Sequence, residues 1–338
     1  MAKNKKENEE LLSDNNLIEI VQNDKKSMRQ GLGKRDNIDG TVMASLPFVG
    51  YLLFSLFPMV FSIVISLTEL HGYDFTQVRF LWTEGVFHTF DNYINLFRLE
   101  YFGTSLTNSL FYALIVPVKL GLQLYVANLL TKRVVGGKFF RVCYFIPTIC
   151  STVAVALMWN WIFEVNYGVV NTVIGAVIGG KSPLGLVSSP QEFMPCVWVL
   201  SLWWGGCNVI LMDSAISAVD VSLKEAARID GASEFKVFWH VTFPCMTPTL
   251  FYHLVMNIIS AMQEMSLMQV LSGGKTGPGN MALTMTYYMY HLAFGNDFSI
   301  GSMGGMGIGS AFGWFIAIMI IVVTRLQFWL AKKWVNYD

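Results

Sequence analysis

Two groups of side chains in this sequence have the types and spacing to do chemical work. The first lies in the stretch Val219-Asp220-Val221-Ser222-Leu223-Lys224-Glu225-Ala226-Ala227-Arg228-Ile229-Asp230-Gly231-Ala232-Ser233-Glu234-Phe235-Lys236-Val237-Phe238-Trp239-His240-Val241-Thr242-Phe243-Pro244. Ala226 and Ala227 give the helix expected there a small surface. Another protein could approach that surface closely. The second group is His253, Asn257, Ser260 and Glu264, spaced four, three and four residues apart along one face of a helix. Trp203, Trp204 and Asn208 form a companion set in another apolar stretch. Polar groups in lipid are costly, so these faces should look inward. Inward-facing acceptors, donors and aromatic rings could hold a polyhydroxylated solute. They could equally hold the protein together through interhelical hydrogen bonds and packed tryptophans. The residues alone leave both readings open.

Other chemistry is harder to find. Gly274-Lys275-Thr276 has the look of a phosphate-loop end, but the position that must be glycine, five residues before Gly274, is Gln269. The five histidines form no HExxH pair and no other metal-ligand spacing. Cys143, Cys150, Cys196, Cys207 and Cys245 form no CxxC and read as free, small packing residues. A formal net charge of +0 removes the bulk electrostatic argument for a nucleic-acid partner.

The elements that must position these groups are set by composition. Of 338 residues, 54% are hydrophobic and only 14% charged, against about 25% charged in soluble domains. Lipid is the implied solvent. A bilayer core asks for roughly 20 apolar residues as helix, and six stretches supply them: Thr41–Thr68, Thr104–Leu130, Val142–Phe163, Phe193–Met212, Thr249–Leu271 and Phe298–Thr324. An open chain in lipid satisfies its own backbone only as helix. The expected fold is therefore an all-α polytopic membrane helix bundle with six transmembrane helices. The first apolar run is too long for a signal-peptide core, so no cleavable leader is expected.

Basic residues orient the spans. With the N-terminus in the cytoplasm, eighteen Lys and Arg fall on the inner side and only Arg79, Arg98, Lys181 and Lys275 on the outer. Both ends are then inside. Residues 1–40 read as a solvated, partly disordered cytoplasmic tail, 41–330 as the membrane domain and 331–338 as a cytoplasmic end. Lys119 lies about 16 Å along the helix from Leu130, too deep for easy snorkelling. It should face inward and pair with an acid or a carbonyl, Glu264 being one candidate. Gly301, Gly305 and Gly309 form a stripe suited to close helix packing.

The loop at 213–247 is long for a turn and faces the cytoplasm. Ser222 is suited to cap a helix, with Glu225 completing a capping box. Ala226 and Ala227 favour helix, and Gly231 should end it. Phe235, Phe238 and Trp239 then recur as on a second short amphipathic helix, with Pro244 and Pro248 punctuating the start of span five.

This loop resembles the EAA loop of ABC importer permeases. The pattern is filled here by Glu225-Ala226-Ala227, Gly231, Val241, Phe243 and Pro244, with Val241 for the usual Ile and Phe243 for the usual Leu. The run Glu225 to Ser233 is similar to that of binding-protein-dependent sugar permeases of the maltose/glycerol-phosphate type. Asp91-Asn92-Tyr93 with Phe97 and Asn108, Arg141 with Phe145-Ile146-Pro147, Met158 to Phe163 and Tyr167 to Asn171 resemble other parts of that family. The likeness spans roughly residues 41 to 325. Gly273 to Gly279 is longer than the family's Gly-Gly-Pro run.

The resemblance implies a type I ABC importer permease fold, in a bacterial cell membrane, importing a sugar or oligosaccharide. A non-sugar solute is the nearest alternative; an ion-coupled secondary transporter, which would need inverted repeats and broken helices, is a remoter one. The implied partners are a second permease subunit, two ATPase subunits and an extracytoplasmic solute-binding protein. The chain itself would be no enzyme and hold no cofactor, with ATP and Mg bound by the ATPase. Glu225, Ala226, Ala227, Asp230, Gly231 and Pro244 would couple to that ATPase. Asn257, Ser260, Glu264, Trp203, Trp204 and Asn208 would line the substrate path.

Overall fold

The computed structural model describes residues 34–70, 79–81, 90–132, 136–179, 188–295 and 305–336, with all their side chains except those of 34–39 and 79. Most of the tail, Arg133, Lys181, Phe298 and Gly301 lie outside the described residues. The chain divides into one unit ending at Ser62 and another beginning at Ile63.

The first unit is helical. Helix α1 (Lys34–Tyr51) runs through a π turn at Leu52–Leu56 into α2 (Phe57–Ser66). Phe54, Phe57, Met59 and their neighbours are exposed. The span Gly40–Ser66 has no buried residue in its most apolar window, so lipid or another protein must cover it. The π turn has a local cause. Pro58 has no N–H and its ring crowds the carbonyl four residues back. The helix widens instead, and Phe57 donates to the Leu52 carbonyl.

The second unit opens with a two-residue antiparallel ribbon, β1 (Thr68–Glu69) and β2 (Arg79–Phe80), pairing Thr68 with Phe80. Helices then follow: α3 (Asp91–Leu96), α4 (Phe102–Ala113), α5 (Ile115–Thr131), α6 (Gly137–Ile149), α7 (Thr152–Ile162), α8 (Val169–Ile178), α9 (Pro190–Trp203) and α10 (Gly206–Ala218). The short helices α11 (Val221–Ile229) and α12 (Glu234–Val237) precede a π turn at Phe238–Thr242, followed by α13 (Phe243–Met262), α14 (Ser266–Leu271), α15 (Met285–Phe294) and α16 (Met306–Ala331).

Four helices are long and apolar enough to cross a membrane, and six spans result if each of two bent pairs is counted as one. The bent pairs correct the expectation of straight third and fourth spans. Helices α6 and α7 meet at 101°, and α9 and α10 at 46°. At the first break Pro147 removes a backbone donor from the last turn of α6, and Cys150 and Ser151 turn extended. An unbroken apolar run hid this break. At the second, Gly206 lies so close to the Tyr144 carbonyl that a side chain could not fit.

Apolar burial alone does not hold helices together in lipid; tight packing and internal hydrogen bonds do. Helix α10 packs on α5 and α6, α14 on α7, and α15 on α16. Tyr287, Tyr288, Phe193 and Phe312 are fully enclosed. Asn108 donates to the Asn280 and Leu283 carbonyls at 2.8 and 3.1 Å, and Asn92 to those of Ser66 and Thr68 at 2.9 Å each. The Arg141–Asp213 ion pair, at 2.8 Å, ties α6 to α10. Thr131 of α5 donates to the same buried carboxylate at 2.8 Å. In the glycine stripe, Gly309 packs directly on Ala293 within this chain.

Candidate functional site: an exposed hairpin and an internal cavity

The hairpin α11–α12 builds itself from local bonds. Asp220, not Ser222, is the N-cap: its carboxylate accepts the Ser222 N–H at 2.9 Å. That bond holds the Asp220 carboxyl below its ordinary range. A carboxylate cap one turn ahead of Glu225 leaves no capping box, because Ser222 already lies inside the helix. Glu225 is exposed, and its side chain makes no hydrogen bond among the described residues. Lys224 donates to the Ile216 carbonyl at 2.9 Å, tying α11 to the last turn of α10.

Gly231 ends α11 as its spacing requires. Its φ of +80° is left-handed. Gly231 N–H reaches the Arg228 carbonyl and Ala232 N–H the Ala227 carbonyl, each at 3.0 Å, the paired bonds of a glycine-terminated helix. Arg228 then clasps Glu234 through two hydrogen bonds of 2.7 and 3.2 Å. The Arg228 guanidinium draws the Glu234 carboxyl below its ordinary range. The hairpin is thus rigid by its own bonds, yet Leu223, Ile229 and Phe235 stand exposed beside Glu225 and Ala226.

The expected short second helix does not stand apart from span five. Helix α12, the π turn and α13 form one helix from Glu234 to Met262. The proline that seemed to punctuate the chain instead widens the helix: Pro244 cannot donate to the His240 carbonyl, and Phe243 donates to Phe238 one residue further back. The hairpin is therefore joined rigidly, apart from this turn, to the helix carrying Asn257 and Ser260.

Those residues line a cavity of about 300 Å³, together with Tyr112, Lys119, Trp204 and Glu264. Asn208 stands behind the wall, its amide donating to Asn257 Oδ1 at 3.2 Å and to Gln123 Oε1 at 3.3 Å. Asn257 in turn donates to the His253 carbonyl at 2.8 Å. Trp203 does not line the cavity; it packs edge-on to Trp159 with ring centres 5.7 Å apart. Glu264 is not on the face of the α13 helix as its spacing suggested. The helix ends at Met262, and Glu264 accepts the Leu267 N–H at 3.0 Å, capping α14. Lys119 and Glu264 face the same cavity, but no direct ion pair joins them.

Of the polar residues lining the cavity, Tyr112, Thr152 and Ser201 were not foreseen. Tyr112 meets Ser201 at 3.0 Å, and both line the space. The signal was present: Tyr112, Lys119 and Gln123 recur seven and four residues apart, one face of span two.

With this geometry in view, the chain can be set beside known proteins. Residues 120–336 match the family described as "Binding-protein-dependent transport system inner membrane component". The chain is 30% identical over 90% of its length to the probable ABC transporter permease protein YesP of Bacillus subtilis, of which it covers 94%. It is 25% identical to the lactose transport system permease protein LacF of Rhizobium radiobacter, covering 90% of this chain and 98% of that one. Against the arabinooligosaccharides transport system permease protein AraP of Bacillus subtilis, identity is 29%, over 83% of this chain and 85% of that one. A chain of a bacterial alginate ABC transporter, solved in complex with an alginate pentasaccharide-bound periplasmic protein, shares the fold with TM-score 0.71 at 20% identity, covering 91% and 96% of the two chains. The broken helices, a mark expected of an ion-coupled carrier, occur here too, so helix shape does not separate the two classes of transporter; the family match does. The chain belongs to the binding-protein-dependent transport system inner membrane components. It is a multi-pass ABC transporter permease, a transport component rather than an enzyme.

Proposed function

We propose that the chain forms the translocation path for a sugar or oligosaccharide beside a second, related permease subunit, with two ATPase subunits on the cytoplasmic side and a solute-binding protein outside. The termini, the loop at 213–247 and the end at 331–338 lie in the cytoplasm on this reading, as the eighteen-to-four distribution of basic residues favours. ATP and Mg belong to the ATPase. One observation carries the mechanical part: a self-braced hairpin presents Glu225, Ala226 and exposed apolar side chains, and continues as one helix into the cavity wall. Closure of the ATPase dimer would push on α11. The push would travel through the helix from Glu234 to Met262 and move Asn257 and Ser260. Asp230 offers a further acceptor and Gly231 the turn.

For the substrate, the support is the cavity's hydroxyl, amide, indole and charged groups, together with relatives named for lactose and arabinooligosaccharides. Trp204 would stack on a sugar ring while Asn257, Ser260 and Glu264 exchange hydrogen bonds with hydroxyls; Asn208 and Trp203 act from behind that surface.

In liposomes holding the complete transporter, Gly231→Asp should lose ATP-driven uptake by about tenfold or more. It puts a side chain into a left-handed turn at a cost of about 1–2 kcal/mol and a charge into the docking surface. Glu225→Lys should uncouple uptake with membrane insertion intact. Full uptake by either variant refutes the coupling role. Recovery of the ATPase and second permease with the tagged chain tests the assembly.

A further inference from the structure

The helix that joins hairpin to cavity has a weak place. Pro244 and Pro248 remove two successive backbone donors, leaving the His240 and Pro244 carbonyls without their usual partners. Thr247 repairs one of these losses: its hydroxyl donates to the Pro244 carbonyl at 2.7 Å. That hydroxyl is itself held from the far end of the chain, accepting the Asn336 N–H at 3.0 Å. One turn further on, Phe251 is clasped edge-on by Phe328 and Trp334, with ring centres 5.0 and 6.0 Å away. Phe251, Val255, Ala331 and Val335 form a small core separate from the main one. Thr247 is 1% exposed and Phe251 4%. The segment after α16 therefore lies across the proline-weakened turn and bonds to the one side chain that mends it.

We propose that Trp334–Asn336 is a strap that keeps this hinge straight, so that a push on the hairpin moves the cavity wall instead of bending the helix. Thr247, Phe251, Trp334 and Asn336 are positioning residues: none of them lines the cavity, and Thr247 and Phe251 are buried. The strap rests on the coupling role given to the hairpin above, and goes beyond it by assigning a transmission function to the chain's C-terminal end.

The test uses the complete transporter in liposomes and reads uptake of the transported solute and ATP hydrolysis together. Thr247→Val removes the hydroxyl at nearly constant shape; Thr247→Ser keeps it. A second variant lacks residues 334–338. Thr247→Val and the truncation should each lower solute moved per ATP by about fivefold, the size expected from one buried hydrogen bond, with hydrolysis per complex retained. Thr247→Ser should keep the ratio of the unaltered chain. An unchanged ratio in Thr247→Val, or uptake and hydrolysis falling in proportion, overturns the strap. Glu225→Lys in the same preparation separates the two ideas. If it uncouples while Thr247→Val does not, only the strap fails; if it leaves the ratio intact, the docking role fails.

Discussion

The chain makes the same local error twice. At Leu52–Leu56 and at Phe238–Thr242 a helix widens into a π turn, and each time the next two residues are Phe-Pro: Phe57-Pro58 and Phe243-Pro244. The cause is shared, since proline cannot take its place in the ladder and the preceding turn must open. The settings differ. The first turn lies in a span whose apolar window has no buried residue. The second has buried Val237, Thr242, Met246 and Thr247 around it, a hydroxyl bonded to the Pro244 carbonyl that Pro248 leaves without its usual donor and the segment after α16 laid across it. The same sequence-encoded defect thus stands bare on one helix and is clamped by tertiary contacts on the other. π turns concentrate at functional sites, and the clamped one is where we place the function.

That contrast can be broken most forcefully at Pro244. Pro244→Ala restores the missing donor and lets the π turn relax to α-helix, which removes one extra residue from the turn and rotates the hairpin by about 100° against the cavity. Uptake in liposomes should fall by about tenfold or more, with the protein still inserted and folded. Pro58→Ala makes the same repair in a span whose most apolar window has no buried residue, and uptake should change by less than about twofold. Equal effects of the two substitutions would erase the distinction. The smallest effect concerns the hairpin's clasp. Glu234 has a carboxyl drawn below its ordinary range by Arg228, so its contribution is full above the unfolded carboxylate range, about 4.3, and is lost as pH falls through the lower folded value. Because the pair is exposed, the change should be slight. The protection factors of the Gly231 and Ala232 amides, exchange rates corrected for the pH dependence of the free amide, should hold at neutral pH and fall only on acidification through that window; a fall already on the way from pH 8 to 6 would contradict the assignment.

Much of this was legible from residue types. The hairpin could be read because it is built from short-range rules: a helix with paired alanines, a glycine whose left-handed turn ends it, and a repeat of aromatic side chains. Even there the cap was misplaced by two residues, since Asp220 and Ser222 are both good capping residues and only the backbone path chooses between them. The lining of the cavity was half legible. Asn257 and Ser260 line it, and polar residues at helical spacing stand out in an apolar run. Trp203 does not, because the 46° bend at Trp204–Gly205 turns two adjacent indoles to different neighbours.

The sequence by itself determined the solvent, the number of apolar stretches and the hairpin's local form. These depend on composition and on bonds between residues a few positions apart. Tertiary structure alone decided where the third and fourth spans break, that hairpin and fifth span are one helix, and that residue 336 reaches back to residue 247. Such features arise from contacts between segments far apart in the chain, where close approach at Gly206 or a free hydroxyl at Thr247 has meaning only once its distant partner is in place.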